Sequence, residues 1–454
     1  MNSRKHDLLI VGGGLAGCEA AMQAANLGLK VKLVEMRPYV NTGAHSTDYL
    51  AELVCSNSLG SNLPDRASGL LKNELRLLGS YLIAIADKTS IPAGRALAVD
   101  RTLFATRVTE MILKNKNIDL VRSEVSDFPL ETAIIATGPL TSTRLAKSIS
   151  EKLGQDNLYF YDAIAPVLLK DSVDFEIAFI GSRYETSIND QGDYINLPFT
   201  KEQYFEFISL LKKGERIPLK SFENQISGEG KNTNSKYFEG CLPVEILASR
   251  GDQALAFGPM RPVGLINPHT NSRPYAVIQL RRENVAGDLY NMVGFQTNLS
   301  YSEQIRIFHT IPGLENAEFI RLGSMHRNTF INSPNCINPT LELQSFPGIF
   351  IAGQLSGIEG YVGNIASGLI AGLNAYRLIS GKNLLEFPVN TMVGALSNYI
   401  ASADSESFQP MKANFGLLPA LEVNAGLSKR ERYTKYAERS LLALDRYFSK
   451  MQTQ

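Results

Sequence analysis

A chain of 454 residues, 44% apolar and 20% charged, is long enough for two or three packed cores and is neither disordered nor fibrous. Its 45 basic and 45 acidic residues exclude the overall positive charge that advertises nucleic acid, although a local basic cluster serves a phosphate backbone equally well. Cys18, Cys55, Cys241 and Cys336 stand far apart, without zinc spacing or a disulfide framework, so a reducing cytoplasm and no metal are expected.

Met1–Asp7 runs straight into an apolar strand, leaving no room for a signal peptide. The apolar region around 348–381 is broken by Gln354, Glu359, Asn364 and Asn374, so no membrane span is expected. Leu8-Leu9-Ile10-Val11 reads as a strand buried on both faces of a parallel sheet. Gly12-Gly13-Gly14-Leu15-Ala16-Gly17 follows with Gly-x-Gly-x-x-Gly spacing, then a helix from about 15 to 27 and a strand, Val31–Val34, that ends in Glu35.

The physics of that unit points to a dinucleotide. Gly12 permits the tight turn, Gly14 lets the backbone approach a pyrophosphate, and Gly17 lets helix and strand pack closely. The helix N-terminus faces the phosphates, and Glu35 is placed for ribose hydroxyls. Cys18, inside the helix, reads as core. Gly13, Leu15 and Ala16 complete the expected cofactor-binding turn.

Asn41–Thr47 and Ala51–Leu59 form an unusually polar stretch around Cys55, where the chain would pass the cofactor. Pro92–Arg101 is a compact segment before a helix from about 102 to 114. Ala133-Ile134-Ile135-Ala136-Thr137-Gly138 is another buried strand. Gly348–Gly353 is a third, leading through Gly357, Gly360 and Gly363 into a helix rich in small residues. Two glycine-rich strand-to-helix turns far apart in the chain favour FAD over NAD, with Gly138, Gly353 and Gly363 beside it. Gln354 stands where many flavoproteins carry an Asp, so that side chain receives no assignment.

The expected fold is α/β: an FAD-binding Rossmann-type domain like that of the two-dinucleotide flavoproteins, with an inserted α+β domain. Residues 1–185 and 325–454 would make the FAD domain and 186–324 the insertion. Within the insertion, the polar segment Ser227–Ser235 reads as a mobile loop ahead of Cys241. From local sequence Cys241 is either a small buried hydrophobe or a nucleophile. Met325-His326-Arg327-Asn328-Thr329, polar without alternation, reads as a site or turn and not as a strand. The tail from Leu427 to Lys450 reads as a helix with seven basic residues against three acids, either a solvated face or an edge that contacts RNA phosphates.

Together these motifs resemble the folate- and FAD-dependent tRNA (uracil-5-)-methyltransferases, the TrmFO family. The resemblance rests on the Gly12–Gly17 turn, Glu52–Ser58, Leu97–Arg101, Phe238-Glu239-Gly240-Cys241-Leu242-Pro243, Gly258–Met260, His326–Thr329 and Asn414–Pro419, and spans almost the whole chain. Arg95 departs from an expected glycine, placing a bulky cation near the presumed cofactor pocket, and Arg261 departs from an expected lysine.

The resemblance implies methylation of carbon 5 of a uridine, uridine 54 of the tRNA T-loop, with 5,10-methylenetetrahydrofolate as one-carbon donor. Reduced FAD is the implied reductant, recharged by NADPH or NADH. It implies that Cys241 is the thiolate that adds to uracil carbon 6, and that Cys55 helps remove the carbon 5 proton. His326, with Arg327 and Asn328, would bind substrate, His326 against the pterin ring. Alternative readings are the same chemistry on ribosomal RNA, a flavin-dependent enzyme of the tRNA wobble uridine, or a small-molecule flavin oxidoreductase.

Overall fold

The computed structural model describes residues 6–156, 158–183, 192–217, 242–422 and 426–452. Cys241 and the polar loop before it lie outside the described residues. The first sheet has five parallel strands in the order Ile349–Ile351, Ala133–Ile135, Leu8–Val11, Val31–Glu35, Ile118–Arg122. Every residue of Leu8–Val11 is buried, because helices cover both faces, which is why the run is continuously apolar.

One face packs the helices Leu15–Asn26 and Tyr361–Ile379. The small residues of the later helix are a packing device. A Cβ on Gly368 would lie 2.2 Å from the Ala16 carbonyl oxygen, and one on Gly372 would lie 2.7 Å from that of Ala20. The N-terminus of the first helix is thereby seated against the later helix about two turns in from Tyr361, and both helices start at the C-terminal edge of the sheet, where ligands bind such folds.

The second sheet has six antiparallel strands: Phe179–Gly181, Tyr194–Phe199, Ala276–Arg282, Leu289–Met292, Val167–Leu169 and Phe319–Arg321, in that spatial order. It has its own core, with Leu197, Phe199, Phe207, Ile278, Met292, Phe295 and Phe308, under helices that include Lys201–Lys213 and Tyr301–Phe308. Thr200 and Gln203 close a reciprocal capping box at the start of the first of these. This sheet already contains Val167–Leu169, upstream of residue 186, so we propose moving the domain boundary to about residue 166.

Two strands, Leu158–Ala163 and Met325–Phe330, carry the chain out of the first domain and back, paired antiparallel with His326 opposite Asp162. The polar run His326–Thr329 is therefore a strand, contrary to expectation. Its alternation is hidden because the residues facing the cleft are themselves polar: His326 and Asn328, two apart, share a face. The C-terminal helix spans Lys429–Gln452. Among the described residues no helix is long and apolar enough to cross a membrane.

Candidate active site

The glycine turn acts through space and strain. Gly12 has φ +105°, and a Cβ there would meet the Ala136 carbonyl oxygen at 2.5 Å. Gly17 would drive a Cβ to 1.8 Å from the Gly12 oxygen. At Gly14 nothing lies within 4 Å of where a Cβ would be, so the backbone is bare toward the cavity it borders. Gly12, Gly14, Leu15, Ala16, Glu35, Gly138 and Gly353 all line that cavity. Gly13 and Gly17 do not, being committed to packing, and Gly363 borders the neighbouring cleft instead.

Glu35 is fixed by the Gly13 N–H at 2.8 Å and by Arg37, whose Nε donates at 2.9 Å and backbone N–H at 3.0 Å. Burial alone would raise its carboxyl, but the Arg37 charge and these donors outweigh it and hold the group below the usual range. The same guanidinium donates to Glu52 Oε2 at 3.3 Å and to the Thr47 carbonyl at 3.0 Å. Glu52 in turn accepts from the backbone N–H and hydroxyl of both Ser46 and Thr47. A Glu35–Arg37–Glu52 chain thus folds the polar stretch after Glu35 over the cavity, to which it contributes Thr42 and His45.

A second cleft, of about 610 Å³, adjoins the first and shares Val54, Pro139, Leu140, Gln354, Tyr361 and Asn364 with it. Cys55, Asp162, Gln296, His326, Asn328, Glu359 and Lys412 line it. Cys55 is half-buried, and the Tyr361 hydroxyl accepts its backbone N–H at 2.8 Å and that of Ser56 at 3.1 Å. Burial, reinforced by the Asp162 carboxylate, pushes the Cys55 thiol up to about 12, so it keeps its proton at neutral pH. Glu359 accepts from Gln354 Nε2 at 2.5 Å and stands 4.0 Å from Lys412 Nζ. Burial pushes its carboxyl up to about 7 against the pull of Lys412.

His326 bonds to the Ser324 hydroxyl at 3.1 Å, and burial with the Arg321 charge holds its imidazole below the usual value. Arg327 pairs through its backbone with Tyr161. Arg95 is exposed and borders neither cavity, which corrects the expectation of a cation beside the cofactor. Cys18 is fully buried core, its thiol 3.2 Å from the Gly13 carbonyl.

The Cys55 loop is held from behind by Lys72, which the sequence did not single out, and by Asn57 and Arg101, which lie in the motifs that carry the resemblance. Lys72 is fully buried and its ammonium donates to the carbonyls of Leu59, Gly60 and Ser61, at 2.8–3.3 Å. Asn57 donates to the carbonyls of Val99 and Arg282 and accepts from Arg281 Nε at 2.9 Å. Arg101 donates to the Leu53 carbonyl at 2.7 Å and to both carboxylate oxygens of Glu283 at 3.1 Å. The Val244 N–H reaches the carbonyl of Gln296, a cleft residue, and Glu245 takes the Thr297 hydroxyl and the Asn298 N–H.

A family described as GIDA, glucose inhibited division protein A, matches residues 7–383. Among solved structures, Aquifex aeolicus GidA superposes with a TM-score of 0.68 over 100% of this chain and 77% of that one, at 16% identity, a likeness of fold. The parallel sheet, the paired glycine turns and the adjoining cleft thus define a dinucleotide-fold protein of the GidA class. A methylenetetrahydrofolate–tRNA-(uracil-5-)-methyltransferase TrmFO of Pelotomaculum thermopropionicum is 52% identical over 439 residues, 96% of this chain and 97% of that one. The TrmFO of Natranaerobius thermophilus is 50% identical over 444 residues, 98% of this chain and 99% of its own. The chain belongs to the TrmFO family.

Proposed function

We propose that this protein methylates carbon 5 of a uridine in tRNA, the T-loop uridine 54, with 5,10-methylenetetrahydrofolate as one-carbon donor and FAD as its redox cofactor. The observation that carries the reading is the shared wall: a cavity with dinucleotide geometry opens, across Tyr361, Gln354 and Asn364, onto a cleft that holds a cysteine. The FAD assignment draws support from the bare Gly14 backbone, the helix N-terminus that follows it, and the buried Asn364 Oδ1, which lacks a partner among the described residues. Gly12, Gly14, Leu15, Ala16, Gly138 and Gly353 would hold it, with Glu35 on the ribose. When bound and reduced, by NADPH or NADH, it supplies the electrons that convert a methylene to a methyl group.

The chain's own residues supply the rest. Carbon 5 of uracil becomes nucleophilic only after a thiolate adds to carbon 6, and we assign that thiolate to Cys241. Cys55, protonated at rest by burial and the neighbouring Asp162 against the pull of Arg101 and Lys412, must give up that proton before it can take the one at carbon 5. His326 and Asn328, on one face of their strand, would bound the folate, and Arg327 extends the same substrate-binding run. The target base must leave its stack to enter.

The test incubates purified holoprotein with unmodified tRNA transcript, isotopically labelled methylenetetrahydrofolate and NADPH, and seeks labelled 5-methyluridine by mass spectrometry. The wild type is expected to label uridine 54 and Cys241→Ala to give no label. Normal labelling by Cys241→Ala would overturn the nucleophile. No label on tRNA with FAD bound would redirect the reading to ribosomal RNA.

A further inference from the structure

A basic surface near the cleft has no role in the site described above. The helix Lys429–Gln452 opens with Lys429, Arg430, Arg432 and Lys435 in its first two turns. The acid among them, Glu431, is occupied in capping: its carboxylate accepts the Ser428 N–H at 2.8 Å, while the Glu431 N–H reaches the Ser428 hydroxyl at 3.3 Å. Lys429, Arg432 and Lys435 form no ion pair among the described residues. Cations in the first turn of a helix work against its dipole, so the dipole gives no reason for Lys429, Arg430 and Arg432, whereas Lys435, one turn on, faces the Glu431 carboxylate.

The cluster is joined to the cleft. Arg430 Nε lies 3.3 Å from Asp65 Oδ2, which also lies 3.3 Å from Arg66 Nη1, and Arg66 lines the cleft. Lys412 lines the same cleft from the opposite chain segment. The helix is held there by Phe415, stacked on Tyr433 with centroids 4.4 Å apart and on Tyr436 at 5.7 Å. Tyr433 carries Lys429 at 5.6 Å and Arg432 at 5.8 Å from its ring centre, so the cations rest on a fixed aromatic base.

We propose that this helix is a docking surface for the phosphate backbone of the folded RNA substrate, flanking the base that enters the cleft. The inference rests on the tRNA reading above. Lys429, Arg432 and Lys435 take phosphates, while Asp65 orders Arg430 and Arg66 into a continuous positive track toward the mouth.

The holoprotein would be titrated with fluorescent tRNA transcript across a salt series. The probes are wild type, the triple variant Lys429→Gln, Arg432→Gln, Lys435→Gln, and a charge-preserving triple, Lys429→Arg, Arg432→Lys, Lys435→Arg. A control removes exposed lysines elsewhere: Lys114→Gln, Lys147→Gln, Lys152→Gln. Loss of three phosphate contacts lowers the slope of log Kd against log salt by about 2–3 and raises Kd at least about tenfold. KM for RNA should rise with it, with NADPH oxidation in the absence of RNA unchanged, and the charge-preserving triple should bind as wild type. Equal Kd and slope for the glutamine triple and wild type, or equal weakening by the control, overturns the surface with the tRNA reading intact. Failure of wild type to bind tRNA removes the reading and the surface together.

Discussion

Cys55 shows how a residue's surroundings decide its chemistry. A loop cysteine in a polar sequence invites the reading of a reactive thiolate, yet the structure surrounds it with burial and Asp162. Its ordinary value of 9.0 is raised to about 12, so the neutral thiol is favoured up to about that pH and the thiolate fraction, small at neutral pH, grows as pH rises toward it. Iodoacetamide labelling followed by peptide mapping should find Cys55 at least about tenfold slower than a free thiol at pH 7.5, accelerating toward pH 10. Fast labelling at pH 7.5 would contradict the assigned environment. At this scale the sequence was legible where a residue's role is local. Gly12 and Gly14 are set by the turn they occupy. Tyr361 was not legible, because it meets the Cys55 N–H across 306 residues of chain.

Among the elements, the pair Leu15–Asn26 and Tyr361–Ile379 sets the cavity that Gly14 borders. Its spacing depends on glycines that let one helix backbone touch the other. Gly368→Ala would place a methyl carbon 2.2 Å from the Ala16 carbonyl oxygen and prise the two helices apart. The expected cost is about 2 kcal/mol, with loss of flavin on gel filtration, read by thermal melting and by visible absorbance. Gly251→Ala, where a Cβ meets nothing within 4 Å, should be silent in both measurements. The strands and these helices were readable from their apolar runs. Met325–Phe330 was not, because a strand that lines a polar cleft loses the apolar–polar alternation by which strands are recognised.

The whole molecule depends on a few buried polar ties between its two domains. Arg101 follows the first domain's Ala96–Val99 strand, Glu283 ends the second domain's strand Ala276–Arg282, and 182 residues separate them. No pattern in a single sequence pairs them. Arg101→Met leaves the Glu283 carboxylate buried and unpaired and releases the Leu53 carbonyl, an expected loss of about 3–5 kcal/mol by denaturant melting. The double variant Arg101→Met, Glu283→Leu should recover part of it. Full stability of the single variant would show that the tie contributes nothing.

The ribbon of Leu158–Ala163 and Met325–Phe330 has a mechanical consequence. A slip of one strand by one residue would turn His326 and Asn328 to the opposite face, so the ladder resists sliding between the domains. Asp162, His326 and Asn328 all stand on this ladder and line the cleft. The same register therefore keeps these three groups at fixed mutual distances, whatever enters the cleft above them.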